Sequence, residues 1–353
     1  MGIFFKDRPM FGFDIGRSSI KVMQINETAK GAVVVGYGTT TFDPSAIKDG
    51  VIIDPEIIIK AAYELLEHNI VGHLTTRHVA ASLPNAHSFS RVITLPKMNL
   101  KDLSSAVELE VDQSIPLAVE DLYYDFSIVR TLDDGSLEVQ IVACPKDIVD
   151  SYVLVFRALG LEVGLIESNI SAVTRIVIHA EAHEVPTLIV DIGSTACDLS
   201  IYDGSAIRAT GTVDCSGERI TQNISDALEI SLQQAHSIKT RYGLELSKKQ
   251  DKIVKAAEPE LNKLIGEIRK VIRYFSDRES AGGAIGQIII LGGGANLPGL
   301  STYITDRTRV PTRLCAPWNN VSFGHLQPPH ELETTLYTTA SGLSMVKPQE
   351  LLS

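Results

Sequence analysis

The chain has 353 residues, of which 44% are hydrophobic and 21% charged, with a formal net charge of -11. That length exceeds one ordinary core and suits two lobes, and the balance excludes a disordered chain. The acidic surface repels nucleic acid and disfavours it as a partner, and no apolar run reaches the length of a membrane span.

The first six residues are apolar but too short for a signal peptide and carry no cleavage site, so a cytoplasmic protein is expected. The four cysteines, Cys144, Cys197, Cys215 and Cys315, contain no Cys-x-x-Cys pair. They are expected to be small buried hydrophobes in a reducing compartment rather than metal ligands.

Residues 10–26 and 32–42 read as strands. Asp54 to Asn69 reads as a helix with Ile57, Ile58, Ala61 and Leu65 as its apolar positions, and His78 to Leu83 as a short strand. Residues 85–149 then depart from this β-rich pattern. Phe89 to Leu95 is a strand. Asn99 is a helix N-cap with Asp102 in the first turn, and Leu103, Val107 and Val111 form one apolar stripe. Pro116 stops that helix. Leu122 to Val129 and Leu137 to Ala143 make a hairpin about Asp133-Asp134-Gly135. Pro145 opens the next helix and Gly160 closes it. This helix, hairpin and helix predict a small inserted α+β subdomain.

The second half starts at the strand after Pro186. Helices are predicted from Glu218 to about Glu229, Gln233 to Tyr242 and Lys252 to Arg278, the last stopped by Gly282 and Gly283. Ile288 to Leu291 is a continuous apolar run, typical of a strand buried on both faces. Thr334 to Met345 reads as helical.

The strongest signal is an internal repeat. Asp14-Ile15-Gly16 and Asp191-Ile192-Gly193 each follow an apolar strand, precede small hydroxyl residues and lead into another β-rich run. Glycine keeps each turn tight and lets backbone N–H groups approach an anion. Arg17, Ser18, Ser19, Ser194 and Thr195 join these turns as candidate phosphate contacts. An aspartate in each turn repels phosphate unless a divalent cation lies between them. Asp14 and Asp191 are therefore the expected ligands of hydrated Mg²⁺, largely through water, with a nucleoside triphosphate bridging the two turns. Lys21, seven residues beyond Asp14, is expected to reach a phosphate as a point charge.

A third element is the run Gly292-Gly293-Gly294-Ala295-Asn296, between a buried strand and a helix. Three glycines let a base or ribose lie directly on the backbone. No Lys-Ser/Thr follows, so the loop is not a Walker A motif, and its position does not suit a dinucleotide fold.

Strand-Asp-Ile-Gly-hairpin twice, then strand-Gly-Gly-Gly-helix, resembles the actin, Hsp70 and sugar-kinase superfamily. The resemblance implies two duplicated RNase H-like α/β lobes that bind ATP and Mg²⁺. Ala235 to Gly243 is similar to the superfamily stretch whose Glu and Lys reach the nucleoside. Here Lys239 stands in place and His236 replaces the Glu. Gly217 and Glu218 match the loop opening a helical subdomain, with Glu218 near a ribose hydroxyl.

Within the superfamily, Phe89 to Met98, Ala106 to Pro116, Tyr124 to Phe126, Val142 to Lys146 and Ala158 to Leu161 resemble the PilM family of type IV pilus assembly proteins, as does the closing Thr339 to Leu343. FtsA, the cell-division protein, is a second resemblance. The tail 347–353 is short and carries a proline, unlike a terminal amphipathic membrane helix. The resemblance implies a first lobe of 1–84 with 150–185, an inserted subdomain of 85–149, a second lobe of 186–216 with 285–353, and a helical subdomain of 217–284. It implies a cytoplasmic scaffold at the inner face of the membrane. That scaffold would bind the N-terminal peptide of a PilN-like membrane protein, with pilus motor ATPases as further candidates and self-association left open. The rivals are an FtsA-like polymerising protein and a small-molecule kinase. Glu167 and Asn169 lie where a water-orienting residue would sit, but their simpler role is lining or capping, so ATP binding with weak or no turnover is expected.

Overall fold

The two Asp-Ile-Gly motifs end interior strands of two sheets, one of seven strands and one of five. The computed structural model describes residues 9–180, 185–245, 250–278 and 283–346. The expected tail at 347–353, the first residues and Gly282 lie outside them. The described chain falls into two units. Unit 1 runs to Ile176 and takes in Asn320–Pro328 and the chain from Thr339, while unit 2 comprises Val177–Asn319 and Pro329–Thr338.

In unit 1, β1 (Phe11–Ile15) is buried at every position and turns into β2 (Ser19–Thr28), which pairs with β3 (Gly31–Thr41). A small hairpin of β4 (Ile47–Lys48) and β5 (Val51–Ile52) leads into α1 (Pro55–His68). Pro55 occupies the first helical turn, where its missing N–H costs nothing. The buried positions of α1 are Ile58, Ala62 and Leu65. Ile57 and Ala61 are only half-buried, because three consecutive isoleucines leave the helical phase to packing. β6 (Val71–Gly72) edges β3, and β7 (His78–Leu83) runs parallel to β1.

A separate antiparallel sheet follows. β8 (Phe89–Leu95) is followed by α2 (Leu100–Ser114), whose start is fixed by Asn99 accepting a hydrogen bond from the Asp102 amide at 3.0 Å. β9 (Leu122–Thr131) and β10 (Leu137–Pro145) complete the sheet in the order β8-β10-β9. Leu103, Val107 and Val111 of α2 pack on Val139, Ile141 and Ala143 of β10, a core of its own. α3 (Lys146–Ala158) returns to the main sheet, where Phe156 meets Phe13 edge-to-face at 5.2 Å. β11 (Glu162–Ser168) pairs parallel with β7. The main sheet reads β11-β7-β1-β2-β3, with Val321–Ser322 beyond β3. The chain leaves unit 1 within α4 (Asn169–Ala180).

Unit 2 repeats the pattern. β12 (Thr187–Ile192) pairs antiparallel with β13 (Cys197–Tyr202), which pairs with β14 (Ile207–Val213). Three helices intervene: α5 (Gly217–Leu228), α6 (Leu232–Tyr242) and α7 (Gln250–Arg278). β15 (Gln287–Leu291) runs parallel to β12, α8 (Leu300–Thr308) follows, and β16 (Thr312–Leu314) is parallel to β15. The order β16-β15-β12-β13-β14 is that of unit 1, strand for strand and direction for direction. The sequence repeat is thus a repeat of sheet topology. α9 (Thr338–Ser344) closes the described chain after a 3-10 stretch, Glu331–Tyr337.

All four cysteines are buried and unbridged. Burial raises Cys144 to about 11 and Cys315 to about 12, so both stay protonated thiols. Among the described residues no helix is long and apolar enough to cross a membrane.

Candidate functional site

In unit 1 the turn is closed by the Gly16 amide donating to the Ser19 carbonyl at 2.9 Å. The β1–β2 register sets Asp14 directly opposite Lys21. The Lys21 ammonium lies 3.4 Å from Asp14 Oδ2, and from the parallel neighbour β7 the Ser82 hydroxyl donates to Asp14 Oδ1 at 2.8 Å. Asp14 is therefore a buried carboxylate held by one cation and one hydroxyl. Lys21, expected to point at a phosphate, rests on Asp14. Arg17 is exposed, and Ser18 and Ser19 are half-buried at the turn.

The turn of unit 2 has the same form, with a carboxylate where unit 1 has the lysine. Gly193 N–H donates to the Ala196 carbonyl at 2.9 Å. The register sets Asp191 opposite Asp198, the position that Lys21 fills in unit 1. Thr212 donates its hydroxyl to Asp198 at 2.6 Å. Two carboxylates directly opposite each other across a ladder repel. Among the described residues no group of three or more His, Cys, Asp or Glu side chains gathers to enclose a metal.

Three further segments converge on this second turn. At the start of α5, the Gly217 and Glu218 amides lie 3.4 and 3.3 Å from the Gly193 and Ser194 carbonyls. Ser216 caps that helix by accepting from the Arg219 amide at 3.2 Å. From α6, Lys239 Nζ donates to the Gly217 carbonyl at 2.8 Å and to the Thr221 hydroxyl at 2.7 Å. Burial lowers the Lys239 ammonium to about 8, an effect that the charge of Glu218 partly opposes. His236 lies three residues earlier on α6, exposed at the surface, and partial desolvation followed by the charge of Lys239 lowers its pKa. Glu218 and Thr195 are exposed, and Ser194 is half-buried.

The glycine loop closes the set. Gly292 has φ +81, a conformation that side chains avoid, and a Cβ there would strike Asp191 Oδ1 and come within 2.7 Å of the Ile192 carbonyl oxygen. A Cβ on Gly294 would strike the Ile192 side chain, and one on Gly217 would stand 3.9 Å from Gly294 Cα. The glycines thus let three backbone segments lie against one another. Asn296 does not face outward for a ligand: its amide donates to the Leu332 carbonyl at 2.7 Å and the Thr335 hydroxyl at 3.0 Å. Glu167, a candidate for orienting water, has both carboxylate oxygens on Arg175, at 2.6 and 2.9 Å. Asn169 is the first residue of α4.

Ser82, Thr221 and Thr335 were not singled out by the sequence. Each meets its partner across 18 to 68 residues, and none belongs to a motif, so only register or tertiary packing reveals them.

The family model for type IV pilus assembly protein PilM matches residues 12–347. Among curated proteins, the cell division protein FtsA of Pseudomonas aeruginosa is 24% identical, over 95% of this chain and 88% of that one. FtsA of Escherichia coli K12 is 23% identical over 58% of this chain, which spans about half (54%) of that protein. Among solved structures, the PilM–PilN type IV pilus biogenesis complex matches with a TM-score of 0.81 at 23% identity, covering 96% of this chain and 98% of that one. MreB5 of Spiroplasma citri bound to AMPPNP matches with a TM-score of 0.56 at 13% identity, covering 96% and 95%. The fold is actin-like.

Proposed function

The chain belongs to the PilM family of type IV pilus assembly proteins, and on that footing we propose that it is an ATP-binding scaffold of pilus assembly. In this reading it is cytoplasmic and reaches the inner face of the membrane by holding the N-terminal peptide of a PilN-like membrane protein. The observation that carries nucleotide binding is the meeting, inside unit 2, of the Asp191 turn, the α5 N-terminus, the glycine loop and Lys239. The positive end of α5 and a lysine suit phosphate by charge, glycines suit a flat base, and the Asp191 carboxylate suits magnesium.

The complex between PilM and PilN among the similar structures supports a PilN-like partner. We place the peptide against the first unit near residues 89–126, where Phe89, Leu109, Leu117 and Tyr123 are exposed. Calorimetry with ATP and Mg²⁺, on the intact chain and on Asp191→Ala, tests the nucleotide. A pull-down with the partner peptide, with and without ATP, tests the scaffold. Equal peptide capture by a variant lacking residues 89–145 would refute the placement. Sustained turnover is not expected, because Arg175 engages both oxygens of Glu167. Phosphate release that disappears in Asp14→Ala would overturn that.

A filament-forming role is the second reading, favoured by the likeness to FtsA over 95% of this chain. Sedimentation with and without ATP separates it from the scaffold.

Lys239 gives this reading a pH dependence. With its ammonium lowered to about 8, roughly nine in ten Lys239 side chains are neutral at pH 9. ATP affinity is expected to fall between pH 7 and 9, and Lys239→Met should flatten that profile. Stability moves the other way. Between about 8 and 10.5 the unfolded chain binds the proton that the folded chain has released, so this group's contribution to stability rises with pH. Falling affinity alongside unchanged or rising thermal stability therefore identifies loss of the lysine charge. A flat wild-type profile would refute its role.

A further inference from the structure

Gly292, Gly293 and Gly294 leave the backbone of the loop that receives the base more freedom than residues with side chains would, so its shape depends on what surrounds it. The structure supplies one hydroxyl for that purpose. Thr335 is 1% exposed and lies in the 3-10 stretch Glu331–Tyr337. Its hydroxyl donates to the Gly292 carbonyl at 2.9 Å and accepts from the Asn296 amide at 3.0 Å. The loop's first carbonyl and last side chain are thus tied to one oxygen, using its single proton and a lone pair. The second Asn296 hydrogen goes to the Leu332 carbonyl, in the same stretch. Leu336 fills the space beside Gly293, 2.9 Å from where a Cβ would stand. Thr335 is itself held, because the Thr338 hydroxyl donates to its carbonyl at 2.8 Å.

We propose that Thr335 is a positioning residue for the nucleotide. It touches no ligand but fixes the glycine loop in the shape that receives the base and ribose, and Asn296 serves as its lever rather than as a ligand. This rests on the reading of unit 2 as a nucleotide site. The geometry also supplies a reporter. The chain's only tryptophan, Trp318, packs against Tyr337 with ring centroids 6.2 Å apart, two residues from Thr335. A ligand that settles on the loop through this clamp is expected to alter tryptophan emission.

The test compares the intact chain with Thr335→Val and Thr335→Ser. Valine keeps the volume and removes both hydrogen bonds, whereas serine keeps the hydroxyl. ATP with Mg²⁺ is titrated by calorimetry, and amide exchange is followed over residues 292–297. Loss of two hydrogen bonds to a loop that must be ordered predicts about tenfold weaker binding by the valine variant. Faster exchange confined to 292–297 and recovery to within about threefold in the serine variant are expected with it. Valine binding as tightly as the wild type would overturn the proposal and leave the nucleotide site standing. So would faster exchange spread evenly over unit 2, or serine failing to restore binding, since either makes Thr335 a packing residue only. If the intact chain binds no ATP, the nucleotide reading falls and this inference with it.

Discussion

Replacing Gly342 by alanine is expected to destabilise unit 1 by about 3 kcal/mol, the upper end for a methyl group forced into packed structure. α9 begins Thr338-Thr339-Ala340-Ser341-Gly342, and its small residues let it lie unusually close to its neighbours. A Cβ on Gly342 would strike the carbonyl oxygen of Ala172 and stand 2.6 Å from its carbonyl carbon. A Cβ on Gly12 of β1 would strike the carbonyl oxygen of Ala340. In both cases the obstacle is backbone in regular structure, which cannot swing aside as a side-chain end can. The contact is also pinned by polar bonds. Arg175 donates to the Gly342 carbonyl at 3.0 Å, and the Ser344 hydroxyl accepts from the Ile25 amide at 2.7 Å. Gly266→Ala on α7 is the matched control, because nothing lies within 4 Å of its Cβ position. Helix propensity predicts that this change raises stability by up to about 1 kcal/mol. Thermal unfolding of both variants decides the matter: an unshifted midpoint for Gly342→Ala, or equal losses for both, would refute the close docking of α9.

The parts of the fold that are legible in the sequence are those fixed within a few residues. The strands His78–Leu83 and Phe89–Leu95 lie at the bounds read from the sequence, and the Asn99 cap follows from a single side-chain oxygen. On α1 the expected Ile58 and Leu65 are buried, but Ala62 takes the place of Ala61 and Ile57 is half-buried, because Ile57, Ile58 and Ile59 are equally apolar and only the tertiary core chooses among them. The site divides along the same line. The two Asp-Ile-Gly turns repeat visibly, and a tight hairpin places the seventh residue after each aspartate opposite it. Lys21 thereby neutralises Asp14 in one turn, while Asp198 adds charge to Asp191 in the other. What the sequence could not yield are contacts between distant segments. Glu167 reads as a candidate for water activation until Arg175, on the helix that follows, is seen to hold both its oxygens. Asn296 reads as a ligand until Thr335 and Leu332 are found at its amide.

The second large effect concerns Gly292, where conformation and contact act together. Alanine there must adopt φ +81, which strains an L-residue by roughly 1–3 kcal/mol. Its methyl group would also drive against Asp191 Oδ1 and the Ile192 carbonyl, displacing the loop, the carboxylate or both. With about 1–3 kcal/mol for overpacking added, ATP binding by Gly292→Ala should weaken at least 100-fold, which corresponds to about 2.7 kcal/mol. Gly293→Ala provides the comparison one residue away. Its methyl group would meet only Leu336 Cδ2, at 2.9 Å, the far end of a flexible side chain. That neighbour can rotate away, so a loss of no more than about fivefold is expected, at about 1 kcal/mol. Calorimetric titration of ATP into the two variants gives the ordering. Equal affinities would mean that the glycine loop does not press on Asp191 in the binding-competent protein. A larger loss at Gly293 than at Gly292 would place the ligand on the Leu336 side of the loop.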